Sequence, residues 1–269
     1  MDLGLLGATA IVCGGTQCMG RAAARCLAED GARVAVLGRD RGRLDETVKD
    51  LLAAGAADAV GLSADLTDPT AVDAAFAELG ERWGALNILV NAAGPAQGHA
   101  AFEEWSDADW TAAFDGLALG YVRTTRAALP LLRAAEWARI VNISAHSTNR
   151  QTVRIAPYTA AKAAVTSLTK NLAKSLAPEG ILVNTVSPGT IMSEQIVDGM
   201  RERLAAQGRD SSDPKDVMAF ITEVHDVPAQ LGRAGLPDEV GIVVALLASR
   251  RNGYTTGADV NVDGGSDFC

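Results

Sequence analysis

Tyr158 and Lys162 stand four residues apart in the run Tyr158-Thr159-Ala160-Ala161-Lys162, which opens a stretch, 158–173, rich in Ala, Leu and Lys with apolar residues at helical spacing. On a helix, residues four apart share a face, so a phenol and an ammonium placed this way can lie against one bound molecule. A free phenol titrates near ~10 and exchanges protons poorly at neutral pH, whereas a neighbouring cation stabilises the phenolate and lowers that value. The pair is therefore a candidate general acid/base. A second chemical signal lies near the start of the chain. The apolar run 8–12 leads into Gly14-Gly15-Thr16-Gln17-Cys18-Met19-Gly20 and then into an alanine-rich helical pattern, 21–29, ending at Gly31. Strand, glycine loop and helix together aim backbone N–H groups and the positive end of a helix at a phosphate. Nineteen residues after Gly20 stands Arg39, just past a second apolar run, 33–37. At that point of a dinucleotide site an acidic residue holds a ribose 2′-hydroxyl, or an arginine holds a 2′-phosphate. Arg41 and Arg43, close behind, read equally well as a solvated basic run at a helix start.

The elements that must position these groups alternate along the chain. Helical patterns at 43–54 and 69–83 alternate with apolar runs at 59–62 and 86–90, the last ending in Asn91-Ala92-Ala93-Gly94. Helices are expected at 106–114 and onward to 133, with Ser106 and Asp107 as caps. A strand at 138–143, a loop at 144–157 and the Tyr158 helix follow, then a strand at 181–186 closed by Ser187-Pro188-Gly189-Thr190. Segment 193–234 breaks the rhythm: it is polar, interrupted by Gly208, Pro214 and Pro228, and reads as a lid or specificity segment. Its Met200, Met218, Phe220, Ile221 and Val224 suit either an apolar pocket wall or packing beneath a lid, and His225 reads as a loop histidine. A helix at 237–247 and a strand at 259–262 complete the chain. The pattern predicts an α/β fold, a doubly wound parallel sheet of about seven strands with helices on both faces, whose ligands bind at the carboxyl ends of the strands.

Composition narrows the field. With 269 residues, 48% of them hydrophobic, the chain can form one large domain spanning 1–269. A formal charge of −9 without a compensating basic patch argues against nucleic acid or an anionic membrane as the main partner. Cys13, Cys18, Cys26 and Cys269 form no C-x-x-C pair and are expected to be reduced thiols. The opening Met1-Asp2-Leu3-Gly4 lacks a basic, apolar leader pattern, and no apolar stretch reaches membrane-spanning length, so a cytoplasmic protein is expected.

Taken in order, five separated motifs resemble the short-chain dehydrogenase/reductase family over essentially the whole length. The family's Thr-Gly-x-x-x-Gly-x-Gly loop falls on Cys13-Gly14-Gly15-Thr16-Gln17-Cys18-Met19-Gly20, and its adenine-contacting Asp on Asp65, followed by Leu66. Its Asn-Asn-Ala-Gly turn falls on Asn91-Ala92-Ala93-Gly94, and its Tyr-x-x-x-Lys on Tyr158 and Lys162. Its nicotinamide-clamping Pro-Gly-x-x-x-Thr falls on Pro188-Gly189-Thr190-Ile191-Met192-Ser193, where Ser193 keeps the hydroxyl. The resemblance implies that Tyr158 exchanges a proton with a substrate oxygen while hydride moves between substrate carbon and nicotinamide, and that Lys162 holds the nicotinamide ribose and acidifies Tyr158. It implies a small-molecule carbonyl or alcohol substrate and a homotetramer. Arg39, preceded by Gly38 where NAD-preferring relatives carry aspartate, favours NADP(H) over NAD(H); Gln17, where the family often has a basic residue, does not add to that preference.

Three departures complicate the expectation. The family's catalytic serine sits thirteen residues before the tyrosine, and position 145 is alanine, flanked by Ser144, His146 and Ser147. Loss of such a donor costs about 2.7–4 kcal/mol of transition-state stabilisation, so a reductase needs a substitute: Ser144, slightly favoured as a strand-end serine, or the His146 imidazole. The family's asparagine that anchors a water chain to the lysine falls on Leu117, which forms no hydrogen bond through its side chain. Cys18 replaces a loop glycine that permits close approach to a pyrophosphate; a helix-terminal thiol can be acidified, which makes Cys18 a candidate for oxidation, although inert packing is the favoured reading. The sequence thus predicts an NADP(H)-preferring ketone/alcohol oxidoreductase. A non-redox isomerase, dehydratase or cyclase, or a dinucleotide-binding protein without turnover, stands as the alternative.

Overall fold

A computed structural model describes residues 2–94, 98–151 and 153–266; Cys269 lies outside the described residues. Each apolar run forms a strand: β1 (Thr9–Cys13), β2 (Arg33–Gly38), β3 (Asp58–Ser63), β4 (Ile88–Asn91), β5 (Ala138–Ile143), β6 (Ile181–Pro188) and β7 (Asp259–Val262). They pair in parallel in the order β3-β2-β1-β4-β5-β6-β7. Strand order reverses between β1 and β4, which opens a crevice at their carboxyl ends, beside the glycine loop.

The strands are apolar on both sides because both faces are covered. Ala10, Val12, Val34, Val36, Val90 and Ile143 face one layer, with α1 (Cys18–Glu29), α2 (Arg41–Ala54) and α9 (Pro237–Ala248). Their neighbours Ile11, Cys13, Ala35, Leu37, Leu89 and Ile140 face the other, with α3 (Pro69–Trp83), α5 (Gly120–Ala134) and α6 (Ala156–Leu176). Alternation with period two divides each strand between two cores.

Helix starts lie ahead of the first periodic residue, and at α2 a cap sets the start. The Asp40 carboxylate accepts from the Arg43 N–H, so α2 begins at Arg41, ahead of the predicted 43. α1 begins at Cys18, three residues before the predicted 21, and α6 at Ala156 with Pro157 in its first turn, which places Tyr158 within the first turn. Ser106 caps α4 (Asp107–Ala113). Between α4 and α5 the chain winds as a π-helix over Phe114–Leu119, a rare geometry often found beside functional groups.

Segment 193–234 is more ordered than its polar composition suggests. It forms α7 (Glu194–Ala205) and α8 (Pro214–His225), which close over a small core of Met192, Leu204, Val217, Met218, Phe220 and Ile221. Met218, Phe220 and Ile221 therefore pack under the segment instead of lining a pocket, while Val224 is exposed. Among the described residues no helix is long and apolar enough to cross a membrane.

Candidate active site

The glycine loop is shaped by what a side chain would strike. Gly14, at φ +82°, has no room for a Cβ, which would come within 2.6 Å of the Ala93 backbone. At Gly20 a Cβ would come within 2.1 Å of the Gly14 carbonyl oxygen. The loops after β1 and β4 thus meet backbone to backbone at the crevice, with α1 starting immediately behind. Thr16 lies against Gly38, Gln17 is exposed at the helix start, and Met19 turns back toward the core.

Cys18 has φ +43°, the left-handed region where glycine is at ease and a side chain is strained. This accounts for the glycine at that place in the family's loop. Its Sγ points to the Met192 carbonyl at 3.7 Å, away from solvent. Burial, with Glu194 nearby, pushes the thiol up despite its helix-terminal position. Of the two readings for Cys18, packing agrees with this placement, and an acidified, oxidation-prone thiol does not. Burial likewise raises Cys13, inside β1, and raises Cys26 to about 11.

Arg39 and Asp65, predicted for different parts of one ligand, come together at the ends of β2 and β3. Arg39 Nη1 lies 3.6 Å from Asp65 Oδ2, and the Arg39 side chain is 78% exposed. The Thr67 N–H and hydroxyl, and Arg39 more weakly, hold Asp65 below the usual carboxylate range. An ion pair this exposed contributes little and yields readily to a ligand. Arg43 instead faces Asp40 and Glu194. Leu66 is buried, and its carbonyl accepts from Arg123.

Asn91 differs from the simplest expectation of a cofactor contact. Its side chain is fully buried: Nδ2 donates to Asn142 Oδ1 at 2.8 Å, and Oδ1 accepts from Thr124 at 2.7 Å. Asn142 in turn donates to Thr169 of α6. The carboxamide ties β4, β5, α5 and α6 together through a satisfied internal network. What 91–94 offers a ligand is the backbone at Ala92 and Gly94.

Lys162 is 4% exposed. Its Nζ donates to the Ile143 carbonyl at 2.7 Å and to the Tyr121 hydroxyl at 3.3 Å, and lies 5.8 Å from the centre of the Tyr158 ring. Burial, with no charged neighbour contributing, lowers its ammonium from 10.5 to about 7. Tyr158 itself is half-buried.

Ser144 Oγ donates to the Lys162 carbonyl at 3.0 Å and meets Thr166 Oγ1 at 2.9 Å, so its hydroxyl is bound to the inner side of α6. These bonds engage the hydroxyl that the sequence slightly favours as the substitute donor. Ser147 accepts from Thr159 on the same helix. Ala145 lies between them, and His146 opens a single 3-10 turn, half-buried.

At the far side, Pro188 ends β6, and Gly189 crosses Asp263 so closely that a Cβ would come within 2.8 Å of its Cα. Ile191 is buried and bridges to Gly235; the Ser193 hydroxyl caps α7 by accepting from the Ile196 N–H. His225, the last residue of α8, faces His99 with ring centroids 6.0 Å apart. Burial, then the charges of His225, Arg154 and Arg203, hold His99 below the ordinary imidazole value. Sequence reasoning missed Tyr121, Asn142, Thr124 and Thr169, whose signal was polar groups recurring in otherwise apolar elements.

Known proteins resemble this chain over nearly its whole length. The family model described as enoyl-(acyl carrier protein) reductase matches residues 14–267. The short-chain reductase protein NovJ of Streptomyces niveus is 32% identical over 256 residues, 95% of this chain and 92% of that protein. Acetoacetyl-CoA reductase of Cupriavidus necator is 31% identical over 257 residues, 95% of this chain and 96% of that protein. L-sorbose reductase of Gluconobacter frateurii, solved with NADPH and L-sorbose, superposes with a TM-score of 0.90 at 26% identity, covering 99% of this chain and 98% of that one.

Proposed function

The chain belongs to the short-chain dehydrogenase/reductase family, and from that premise we propose that it is an NADP(H)-preferring oxidoreductase interconverting a ketone and a secondary alcohol. The observation that carries this reading is the Lys162 ammonium, buried and held 5.8 Å from the Tyr158 ring at the crevice. The Cβ-free backbone at Gly14 and Gly20 and the exposed Arg39 fit a dinucleotide with a 2′-phosphate. Thr16, Gln17 and Met19 would line its pyrophosphate side, Asp65 and Leu66 its adenine side, and the backbone of Ala92 and Gly94 its centre. Pro188, Gly189, Ile191 and Ser193 would flank the nicotinamide, and Lys162 its ribose. Bound there, the nicotinamide supplies or accepts the hydride. Tyr158 gives its proton to the substrate oxygen in reduction and takes it back in oxidation. With Ser144 bound to α6, we assign the second hydrogen bond to that oxygen to His146. His146→Ala is then expected to lower kcat by about 10²-fold and Ser144→Ala by far less; the reverse ranking would return the role to Ser144.

Arg39→Asp is expected to weaken NADP(H) by about 10- to 100-fold, the loss of one charge-assisted contact, while leaving NAD(H) nearly unchanged. Equal losses for both would refute the 2′-phosphate assignment. Arg154 and Arg203 bring positive charge near His99, where the loop after β4 meets α8, which favours carbonyl substrates bearing an anionic group beneath segment 193–234 as a lid. NADPH oxidation is the test, with neutral ketones and keto acids of matched size. Consumption of NADPH in step with ketone, with lower KM for the keto acids, is the expected result. Tight NADPH binding with every ketone left unchanged would move the assignment to a non-redox reaction.

A further inference from the structure

Resting on the reading above, we propose that Tyr121 is a positioning residue. Its hydroxyl, anchored on backbone carbonyls, holds Lys162 Nζ beside Tyr158 in the part of the molecule where Leu117 offers no polar group. The π-helical turn Phe114–Leu119 buries Leu117 against Gly94, where a Cβ would come within 2.5 Å of the leucine methyl. One turn further on, Tyr121 has no exposed surface, and its hydroxyl donates to the Ala93 carbonyl at 2.9 Å, with the Ile143 carbonyl at 3.3 Å. The same oxygen accepts from Lys162 at 3.3 Å, and the Lys162 ammonium lies 5.1 Å from the centre of the Tyr121 ring.

The hydroxyl's single proton is directed at carbonyls, so a lone pair is left facing the ammonium. Burial raises the Tyr121 phenol well above its ordinary value, with Tyr158 and Cys13 adding to the effect. It therefore stays protonated and acts as a fixed dipole, not as a proton carrier. The groups facing Lys162 are thus Tyr121 from α5, Tyr158 from its own helix and the Ile143 carbonyl from β5, with Cys13 of β1 beyond Tyr121. No carboxylate among the described residues offsets its burial. Beside the Ile143 carbonyl, a hydroxyl oxygen and a ring face from Tyr121 then favour the charged form of a desolvated cation.

The test compares the native chain with Tyr121→Phe in two readouts. The first is the titration of Lys162, followed by NMR of 13Cε-labelled lysine and assigned with Lys162→Met, which needs neither cofactor nor turnover. Loss of the acceptor favours the neutral amine, so the midpoint is expected to fall by about one unit or more. The second is the pH profile of alcohol oxidation, which requires Tyr158 as phenolate. With a less persistent cation beside it, the rising limb is expected to move to higher pH, while KM for the alcohol changes less than about threefold. A folded Tyr121→Phe with unmoved midpoint and limb would overturn the proposal, whatever happens to its stability or its rate. Should Tyr121→Phe fail to fold, 3-fluorotyrosine at position 121 keeps the ring and weakens the acceptor. The same directions are then expected, and unmoved values again overturn the proposal. A native chain that never oxidises NADPH would sink the reductase reading, while the lysine titration still judges Tyr121.

Discussion

Tyr158→Phe is expected to fold, to bind NADPH within about tenfold of the native affinity, and to lose about 10²–10⁴ in kcat. The substitution removes one hydroxyl from a half-buried ring at the start of α6 and leaves the backbone, Pro157 and the buried face of the helix in place. Cofactor affinity should change only by the worth of one neutral hydrogen bond. Proton transfer to the substrate oxygen should disappear. Steady-state kinetics beside fluorescence titration of NADPH separate the two effects. Comparable losses in binding and kcat would mean that Tyr158 serves as a cofactor ligand alone.

Lys162→Met is expected to be more stable than the native chain and almost inactive. The side chain is buried with its ammonium near neutral pKa, at about 7 against an ordinary 10.5. Below pH ~7 the lysine is charged in folded and unfolded chains alike, and its burial penalty is constant. From there to pH ~10.5 the unfolded chain binds a proton that the folded chain does not, so the penalty shrinks as pH rises. Replacement by methionine should therefore stabilise most at and below neutral pH, on the order of 1–4 kcal/mol, and the gain should fade toward pH ~10. Cys13, Cys26 and Tyr121, whose buried groups are pushed up, lose stabilisation as pH rises through the alkaline range. They are present in both chains, so the difference between the two melting curves isolates Lys162. A lysine whose burial costs stability at the crevice is a sign of a group kept for chemistry. A Lys162→Met chain less stable than the native at pH 6 would show that its hydrogen bonds to Ile143 and Tyr121 outweigh desolvation.

Much of this was legible in the sequence, for reasons that also explain the gaps. Apolar runs such as Ile88–Asn91 and Ala138–Ile143 report strands covered on both faces, and β5 and α3 fall where the pattern places them. The start of α2 lies ahead of the expected one because its cap, Asp40, lies outside the periodic stretch. The hydrogen bonds of Ser144 to α6 had a readable cue. Side chains two apart on a strand share a face, so Ser144 extends the side of Asn142, which bonds α6 through Thr169. The inward turn of the Asn91 side chain was not legible because a motif records which residue is kept and not which way its side chain turns. The contacts of Tyr121 were not legible because they are to carbonyls of Ala93, after β4, and Ile143, at the end of β5, which tertiary folding alone brings to one oxygen. Segment 193–234 looked loose because its apolar residues are spread over two helices that bury them jointly.

The central claim, hydride transfer at the Tyr158–Lys162 crevice, is tested most directly by following an isotope. NADPH carrying deuterium at the transferring carbon is incubated with the native chain and the best keto acid of the panel, and the product is analysed by mass spectrometry and NMR. The account predicts one deuterium, bonded to the new carbinol carbon, in a single stereoisomer, and none with Tyr158→Phe over the same interval. Product formed without deuterium, while the labelled NADPH remains intact, would contradict it.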